Sequence, residues 1–488
     1  MFTQEIYNCT LDLMSHIPVE KHSHRTLLDD FNEFNADPIN QWNAKARLVE
    51  NGEIVDSSNF GLSASDEVHM SKLFAASEST LDGLKIRDIF SPSFFQTNYW
   101  YMLCTTFAFQ PWHSIVEARR YGWRFIQEFP RMSTMSCVRN TRFNQYDSLV
   151  VPIKDWLHDR GVQFLLNHRV VSLRFTCLEN GNERVEKIVY EKKNKREEVD
   201  VAKNDLTFFT NGSMTSNSSW GSMNSVPKRI RTAPQDSWAV WREIAANRPH
   251  FGNPDVFIGQ FDKTKWESFS VTFTSTLFSN LMEIFTKNKS GTGGITTFRC
   301  SNWILSITIP SQPHFKNQPN DINFMWGYAL RPDAPGNYVH KKMSECTGEE
   351  ILTEVCSHLG FQKELTDIIA SAECIPCLMP FITSQFMPRK IGDRPDVLPQ
   401  KTSNFAFIGQ FCEVPDEIVF TVEQSVRSAI IAVYGLLDIS KTIPPIYQGQ
   451  RDPKVVRELL DMGYDIAVNQ SLVHHHESPK EEPWLKTP

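Results

Sequence analysis

The chain has 488 residues and a formal net charge of −7, from 57 acidic and 50 basic side chains. That balance excludes an ordinary nucleic-acid binder, which needs a basic face to neutralise phosphates. Apolar residues make up 41% and charged residues 22%, the proportions of a globular protein, with length for about two to four domains.

No stretch reaches the roughly 18 uninterrupted apolar residues of a membrane span, and the first residues lack the basic and apolar regions of a secretory signal. A soluble, cytoplasmic protein is expected, with peripheral bilayer contact left open. The 34 Phe and 12 Trp suit large apolar pockets as well as a large core. Of ten scattered cysteines, only Cys374 and Cys377 stand at metal-ligand spacing. One such pair is a weak zinc signal. Its Pro and apolar neighbours point to a buried, reduced pair, so no metal is expected.

In chain order, residues 1–85 read as polar helices and loops, with turns at Asp37-Pro38 and Asn51-Gly52. Residues 93–130 read as helical and aromatic. Leu149 to Arg160 reads as a helix ended by Gly161. Strands are expected at Val162 to Leu166 and Val170 to Phe175. A hairpin pair follows, Val185 to Tyr190 and Glu197 to Val201, and then a strand at Asp205 to Thr210. Helices are expected over 234–246 and 348–371, and strands near 294–309 and 322–329. The Gly-rich run Ser290 to Gly294 reads as a hairpin turn sooner than a phosphate cradle. Phe405 to Gln410 and then Phe420 to Leu436 repeat a strand-then-helix pattern. Lys454 to Met462 is amphipathic, and His474-His475-His476 sits in a polar tail. The chain contains no Gly-x-Gly-x-x-Gly.

Several runs, in order along the chain, resemble the oleate hydratases, also called myosin-cross-reactive antigens. They are Phe107-Ala108-Phe109-Gln110-Pro111-Trp112-His113-Ser114 with Arg119-Arg120-Tyr121, and Phe143-Asn144-Gln145-Tyr146-Asp147-Ser148. Next come Phe208-Phe209-Thr210-Asn211-Gly212-Ser213-Met214 and Pro313-His314-Phe315-Lys316-Asn317-Gln318-Pro319. Ile375-Pro376-Cys377 with Ile382 to Arg389, and Phe407 to Phe411 with Phe420 to Glu423 and Ser425 to Ser428, complete the set.

The resemblance implies an α/β, mixed α+β chain with a split two-dinucleotide-type flavin domain. That domain would be incomplete at its N-terminus and accompanied by a substrate-binding domain and a helical C-terminal part. The implied division is 1–148, a helical region with the substrate-site helix; 149–215, part of the flavin domain; 216–395, the substrate domain; 396–440, the closing flavin strand and helix; and 441–488, a C-terminal helix and tail. The implied reaction adds water to the cis double bond of an oleate-like fatty acid to give a 10-hydroxy acid. FAD is present and not consumed. The resemblance leaves a homodimer open.

Carried over by position, Tyr121 is the proton donor to the alkene and Gln145 a second active-site residue. Thr308 and His314 hold the fatty-acid carboxylate. Val170, Asn211, Gly212, Gly409, Gln410 and Thr421 contact FAD. A neutral alkene is barely basic, so its acid must be held against it in a dry pocket. A phenol gains acidity only where its surroundings favour phenolate. Arg119 and Arg120 are two and one positions from Tyr121, so spacing puts neither on its helix face. Where the family commonly has an Asn between Thr308 and His314, this chain has Pro310, which offers no donor.

The family begins with a βαβ unit carrying the Gly-rich turn, followed by Gly-Gly-Arg-Glu, whose Glu activates water. Here Tyr7 to Pro18 already matches what comes next, and the Glu falls near Phe2, which cannot accept a proton. Glu5 is nearest in sequence. Either the reported chain begins late, or it is a truncated paralogue with impaired catalysis. The open sheet edge that truncation would leave favours the first. Two further readings stay open: a fatty-acid-binding pseudoenzyme and a flavin-dependent oxidoreductase.

Overall fold

The computed structural model describes residues 2–3 and 6–461, and it has the expected mixture of helices and sheets. The chain opens with α1 (Asn8–His16) and α2 (Leu27–Ala36), then the hairpin β1 (Leu48–Glu50) and β2 (Glu53–Val55). Helices α3 (Ala64–Ala75), α4 (Ile86–Ile89), α5 (Asn98–Phe107), α6 (Ile115–Arg124) and α7 (Val151–His158) follow. Some helix starts are written locally: Thr26 and Asp29 form a capping box on α2, and Ser63 and Asp66 another on α3. Helix α1 lacks a side-chain cap of its own. The Cys9 and Thr10 N–H groups donate instead to the buried Glu423 carboxylate, at 3.0 and 2.9 Å. An acid suits the unsatisfied donors and positive dipole end of a helix start.

A three-stranded antiparallel meander comes next, β3 (Arg169–Cys177), β4 (Glu183–Lys192) and β5 (Lys195–Asp200), then β6 (Thr207–Thr210). The chain continues through β7 (Ser219–Trp220), α8 (Ser237–Ala245), α9 (Asp255–Ile258), α10 (Phe261–Thr264), β8 (Trp266–Phe273) and α11 (Leu277–Thr286). Strands β9 (Thr296–Phe298), β10 (Leu305–Thr308) and β11 (Asn323–Ala329) lead to α12 (Gly348–Leu359), α13 (Leu365–Ala370) and β12 (Ala372–Met379). The described chain ends with β13 (Phe405–Ile408), α14 (Val422–Leu436) and α15 (Pro453–Asp461).

Eight strands form one sheet in the order β2-β1-β9-β10-β11-β8-β12-β7. Only the β1–β9 contact is parallel. Residues 1–85 are thus more than helices and loops, because their hairpin extends this sheet. The sheet also crosses the boundary drawn at 148. Side chains alternate along β8. Phe269, Val271 and Phe273 face a core shared with Phe278 and Met282 of α11 and Ile351 and Val355 of α12. Trp266, with Trp326 and Tyr328 of β11, belongs to the opposite core, beside Trp100 of α5 and Tyr121 of α6.

The parts expected from 149–215 and 396–440 meet: β6 and β13 pair in parallel, Thr207 opposite Phe405 through Thr210 opposite Ile408. Trp238 and Trp241 of α8 pack there with Phe405, Phe407 and Phe411. Val162 to Leu166 is a correction. It is not a strand, and Val162, Phe164, Leu165 and Leu166 are exposed by 41, 46, 65 and 76%. An apolar run becomes a strand only where a neighbour accepts its ladder, and no described strand does.

Three smaller corrections follow. The helix expected over 348–371 divides at Gly360, whose left-handed backbone (φ +79°) closes α12. Ser290 to Gly294 links α11 to β9 and is not a hairpin turn. Cys374 and Cys377, three apart on β12, lie on opposite faces of a strand, the first buried and the second half-buried. The amphipathic α15 already spends its apolar face, with Val455 and Leu459 packed on Trp123, Ile126 and Phe129. Among the described residues no helix is long and apolar enough to cross a membrane. His474 to His476 lie outside the described residues, as does Glu5.

Candidate active site

Helix α6 starts at Ser114, whose side chain accepts the Glu117 N–H. Its charged side chains are buried and paired. Glu117 meets Arg389 at 3.1 Å and Arg394 at 2.9 Å. Arg120 meets Glu78 and Glu413, both at 2.7 Å. Arg124 meets Glu417 at 3.0 Å. Such pairs fix the rotation of the helix and turn Tyr121 inward. Arg119 donates to the Leu73 and Phe74 carbonyls, so neither neighbouring arginine is spent on the phenol.

Tyr121 is 1% exposed and is ringed by Phe107, Phe109, Phe125 and Phe386. Its hydroxyl donates to the Val419 carbonyl. Burial, with Tyr7 and Glu117 adding, holds the phenol pKa well above its ordinary value, and Arg394 pulls the other way. These surroundings oppose phenolate, so the Tyr121 phenol stays protonated and is not a sharpened acid.

A cavity of about 750 Å³ opens beside it. Of the expected site residues, Tyr121, Gln145, Thr308, His314, Gln410 and Thr421 line this one space, and Pro310 lines it too. Thr308 Oγ1 donates to the Gly294 carbonyl at 2.8 Å. The His314 ring stacks on Phe324, centroids 4.8 Å apart. Burial pushes its pKa down to about 4, against the pull of Asp147, so the imidazole is neutral near pH 7. The loop carrying Gln145 is tied to the His314 loop: the Asn144 backbone N–H and side-chain amide donate to the His314 carbonyl at 2.8 and 3.2 Å. A smaller hollow of about 50 Å³ shares Tyr7, Thr106, Phe107 and Phe125 with the cavity and is bounded by Phe2, Phe129 and Met132.

Phe2 is 1% exposed and exchanges two backbone hydrogen bonds of 2.9 Å with Arg139. Its ring packs on Tyr7 and Phe31. Among the described residues no Asp or Glu lines the cavity. Glu417 and Glu423 are buried nearby, but Arg124 and Arg427 bind the first and Arg427 the second.

Of the residues expected at FAD, Asn211, Gly212, Gly409, Gln410 and Thr421 gather at the paired ends of β6 and β13, and Val170 is in the meander. Gln410 and Thr421 are on the cavity wall, where the Gln410 amide donates to the Thr421 carbonyl and the Ser425 hydroxyl at 2.8 and 2.7 Å. Val170, Asn211, Gly212 and Gly409 are not on it. Val170 pairs with Tyr190 in the meander. The Gly409 N–H donates to Ser428 at 3.0 Å. The left-handed Gly212 is packed beneath Phe411 and Trp238. The Asn211 amide donates to the Phe411 carbonyl at 3.1 Å, and its buried oxygen has no partner. Of these residues only Gln410 and Thr421 reach the cavity, and no chemical step is derived through a flavin.

Sequence reasoning missed several wall residues: Tyr7, Trp42, Arg142, Trp266, Trp326 and Phe420. Arg142 directly precedes the run that carries Gln145, which was its only signal. The others are aromatic residues that look like any core side chain.

The model of the MCRA family matches residues 1–434. A protein of Streptococcus pyogenes serotype M49 (strain NZ131) named oleate hydratase is 35% identical over 474 residues, covering 94% of this chain and 78% of that protein. A protein of Lactiplantibacillus plantarum named linoleate hydratase is 31% identical over 499 residues, covering 95% of this chain and 86% of its own.

Proposed function

The chain belongs to the MCRA family, and we infer from that membership that it is a fatty-acid hydratase, adding water across the cis double bond of an oleate-like acid to give a 10-hydroxy product. The observation that carries this reading is the single cavity joining Tyr121 to Thr308 and His314. An apolar space with a few polar groups is what a long acyl chain with one charged end requires.

In this reaction the Tyr121 hydroxyl turns from Val419 and gives its proton to one alkene carbon. Water bonds to the other carbon and releases a proton. With no carboxylate on the described wall, that proton returns to the phenolate oxygen, so the phenol is regenerated and the sum is addition of one water. Aromatic neighbours exclude bulk water from the cationic carbon. FAD belongs to the proposal as a group held at the Gln410 and Thr421 wall, outside the bond-making steps.

The test is incubation of the purified chain with oleate, with and without added FAD, followed by mass spectrometry. A product heavier by one water supports the reading. Bound oleate with no product at saturating FAD rejects it in favour of a second one, a fatty-acid-binding protein without turnover. The absence of an acid on the described cavity wall favours that second reading. The flavin absorbance of the purified protein reads cofactor retention directly.

A further inference from the structure

Among the residues that line the cavity, Arg142 alone bears a full charge, since no Lys, Asp or Glu is with it. Its side chain is 34% exposed, whereas Tyr121 is buried, so the charge stands toward the outside and the phenol lies within. The guanidinium is braced on one edge. Nε donates to Asp30 at 3.0 Å, Nη2 is 3.8 Å from Glu33, and the group lies 5.5 Å from the centre of the Phe34 ring. Asp30 and Glu33 also serve Arg25. Two acids thus face two arginines, and an incoming anion meets a neutral cluster. Among the described residues no acceptor bonds Nη1 of Arg142.

The residues first assigned to the acyl head group do not supply a cation. Thr308 has one hydroxyl hydrogen, and it is donated in a hydrogen bond to the Gly294 carbonyl. Pro310 has no donor. His314, reached from the Arg142 loop through the Asn144 hydrogen bonds, is a neutral ring stacked on Phe324. A carboxylate leaving water for this wall must recover its lost hydration, and a guanidinium edge is the group whose shape matches it.

We propose that Arg142 binds the substrate carboxylate through its Nη1 edge and so selects free fatty acids over their neutral esters and alcohols. This rests on the fatty-acid reading of the cavity. Asp30 and Glu33 hold the arginine and are not themselves contacts of the ligand. The acyl chain then runs from Arg142 inward toward Tyr121.

The experiment measures binding of oleate and of oleyl alcohol to the full chain, by displacement of a fluorescent lipid probe. Arg142→Met is expected to weaken oleate about 10- to 100-fold and to leave oleyl alcohol unchanged, while Arg142→Lys keeps oleate within a few-fold of the original chain. If the original chain binds oleate and Arg142→Met binds it equally well, the inference is overturned and the fatty-acid reading stands. Equal loss of both ligands in Arg142→Met also overturns it, since the arginine then only holds the loop. If the original chain binds neither ligand, the fatty-acid reading fails and takes the inference with it.

Discussion

The hydroxyl of Tyr121 on α6 donates to the carbonyl of Val419, in the loop that precedes α14. This joins two parts of the chain that sequence reading treated separately, the proton-donor helix and the closing strand-and-helix segment. It also gives the phenol a resting partner, and the proposed proton transfer to an alkene would have to break this bond.

On the proposed hydratase reading, replacing Tyr121 by Phe removes the proton donor and little else. Product formation is expected to fall about 10²- to 10⁴-fold, with oleate affinity within a few-fold of the original. The buried Val419 carbonyl loses its partner, which costs about 1–3 kcal/mol of stability. Mass-spectrometric product assay beside denaturant unfolding separates the two effects. Retained turnover would place the acid elsewhere.

The buried Glu417 accepts from Arg124 and Arg427, at 3.0 Å in each case. Glu417→Ala leaves the Arg124 guanidinium, 3% exposed, without its carboxylate and Arg427, 5% exposed, with Glu423 alone. A loss of about 3–5 kcal/mol is expected, read as a lower urea midpoint at unchanged slope. Breaking a largely exposed pair such as Lys21 with Asp159 (64 and 38% exposed) is expected to leave the midpoint within error.

Acid should weaken the fold through two histidines. Burial lowers the pKa of His113 from 6.5 to about 3 and that of His314 from 6.5 to about 4. Between those values and 6.5 the unfolded chain binds protons that the folded chain refuses. Their contribution is therefore fully present above pH 6.5 and is lost as pH falls toward 4 and then 3. Melting temperature should decline over that window, and His113→Gln should flatten the decline. A pH-independent melt from 6.5 to 4 would contradict this account.

Gly212 has φ +70°, and a Cβ added there would lie 2.7 Å from Phe411 Cδ2 and 3.0 Å from Trp238. Gly212→Ala combines backbone strain with a clash against two large rings, about 1–3 kcal/mol each. Gly52, also left-handed but with nothing within 4 Å, should lose only the strain when changed to Ala. Paired thermal melts test the difference.

The elements legible in the sequence were those whose signal is local. The β3–β4–β5 meander alternates and turns on Lys193-Asn194. The β13 then α14 pattern shows as an apolar run followed by a capped helix. The large sheet was less legible for a physical reason. Strand β8 is buried on both faces over much of its length, which removes the period-two contrast. Strand β1 is three residues long and gains its parallel partner only from β9, far along the chain. Val162 to Leu166 misled in the opposite direction, with strand composition and no partner.

The site divided the same way. Tyr121, Gln145, Thr308 and His314 were reached by resemblance, and the structure gathers them around one cavity. What resemblance could not give was the state of each group. The Thr308 hydroxyl already donates its hydrogen bond to the Gly294 carbonyl, and the Tyr121 phenol is held neutral. Both follow from burial and from partners distant in sequence.

Leu165 and Leu166 stand at 65 and 76% exposure, with Phe164 beside them at 46%. A greasy finger of this kind adheres to whatever excludes water with it. Ammonium sulfate, which strengthens such adhesion, should drive the protein onto a phenyl resin at low concentration. A trace of nonionic detergent should release it, and Leu165→Ser with Leu166→Ser should pass straight through.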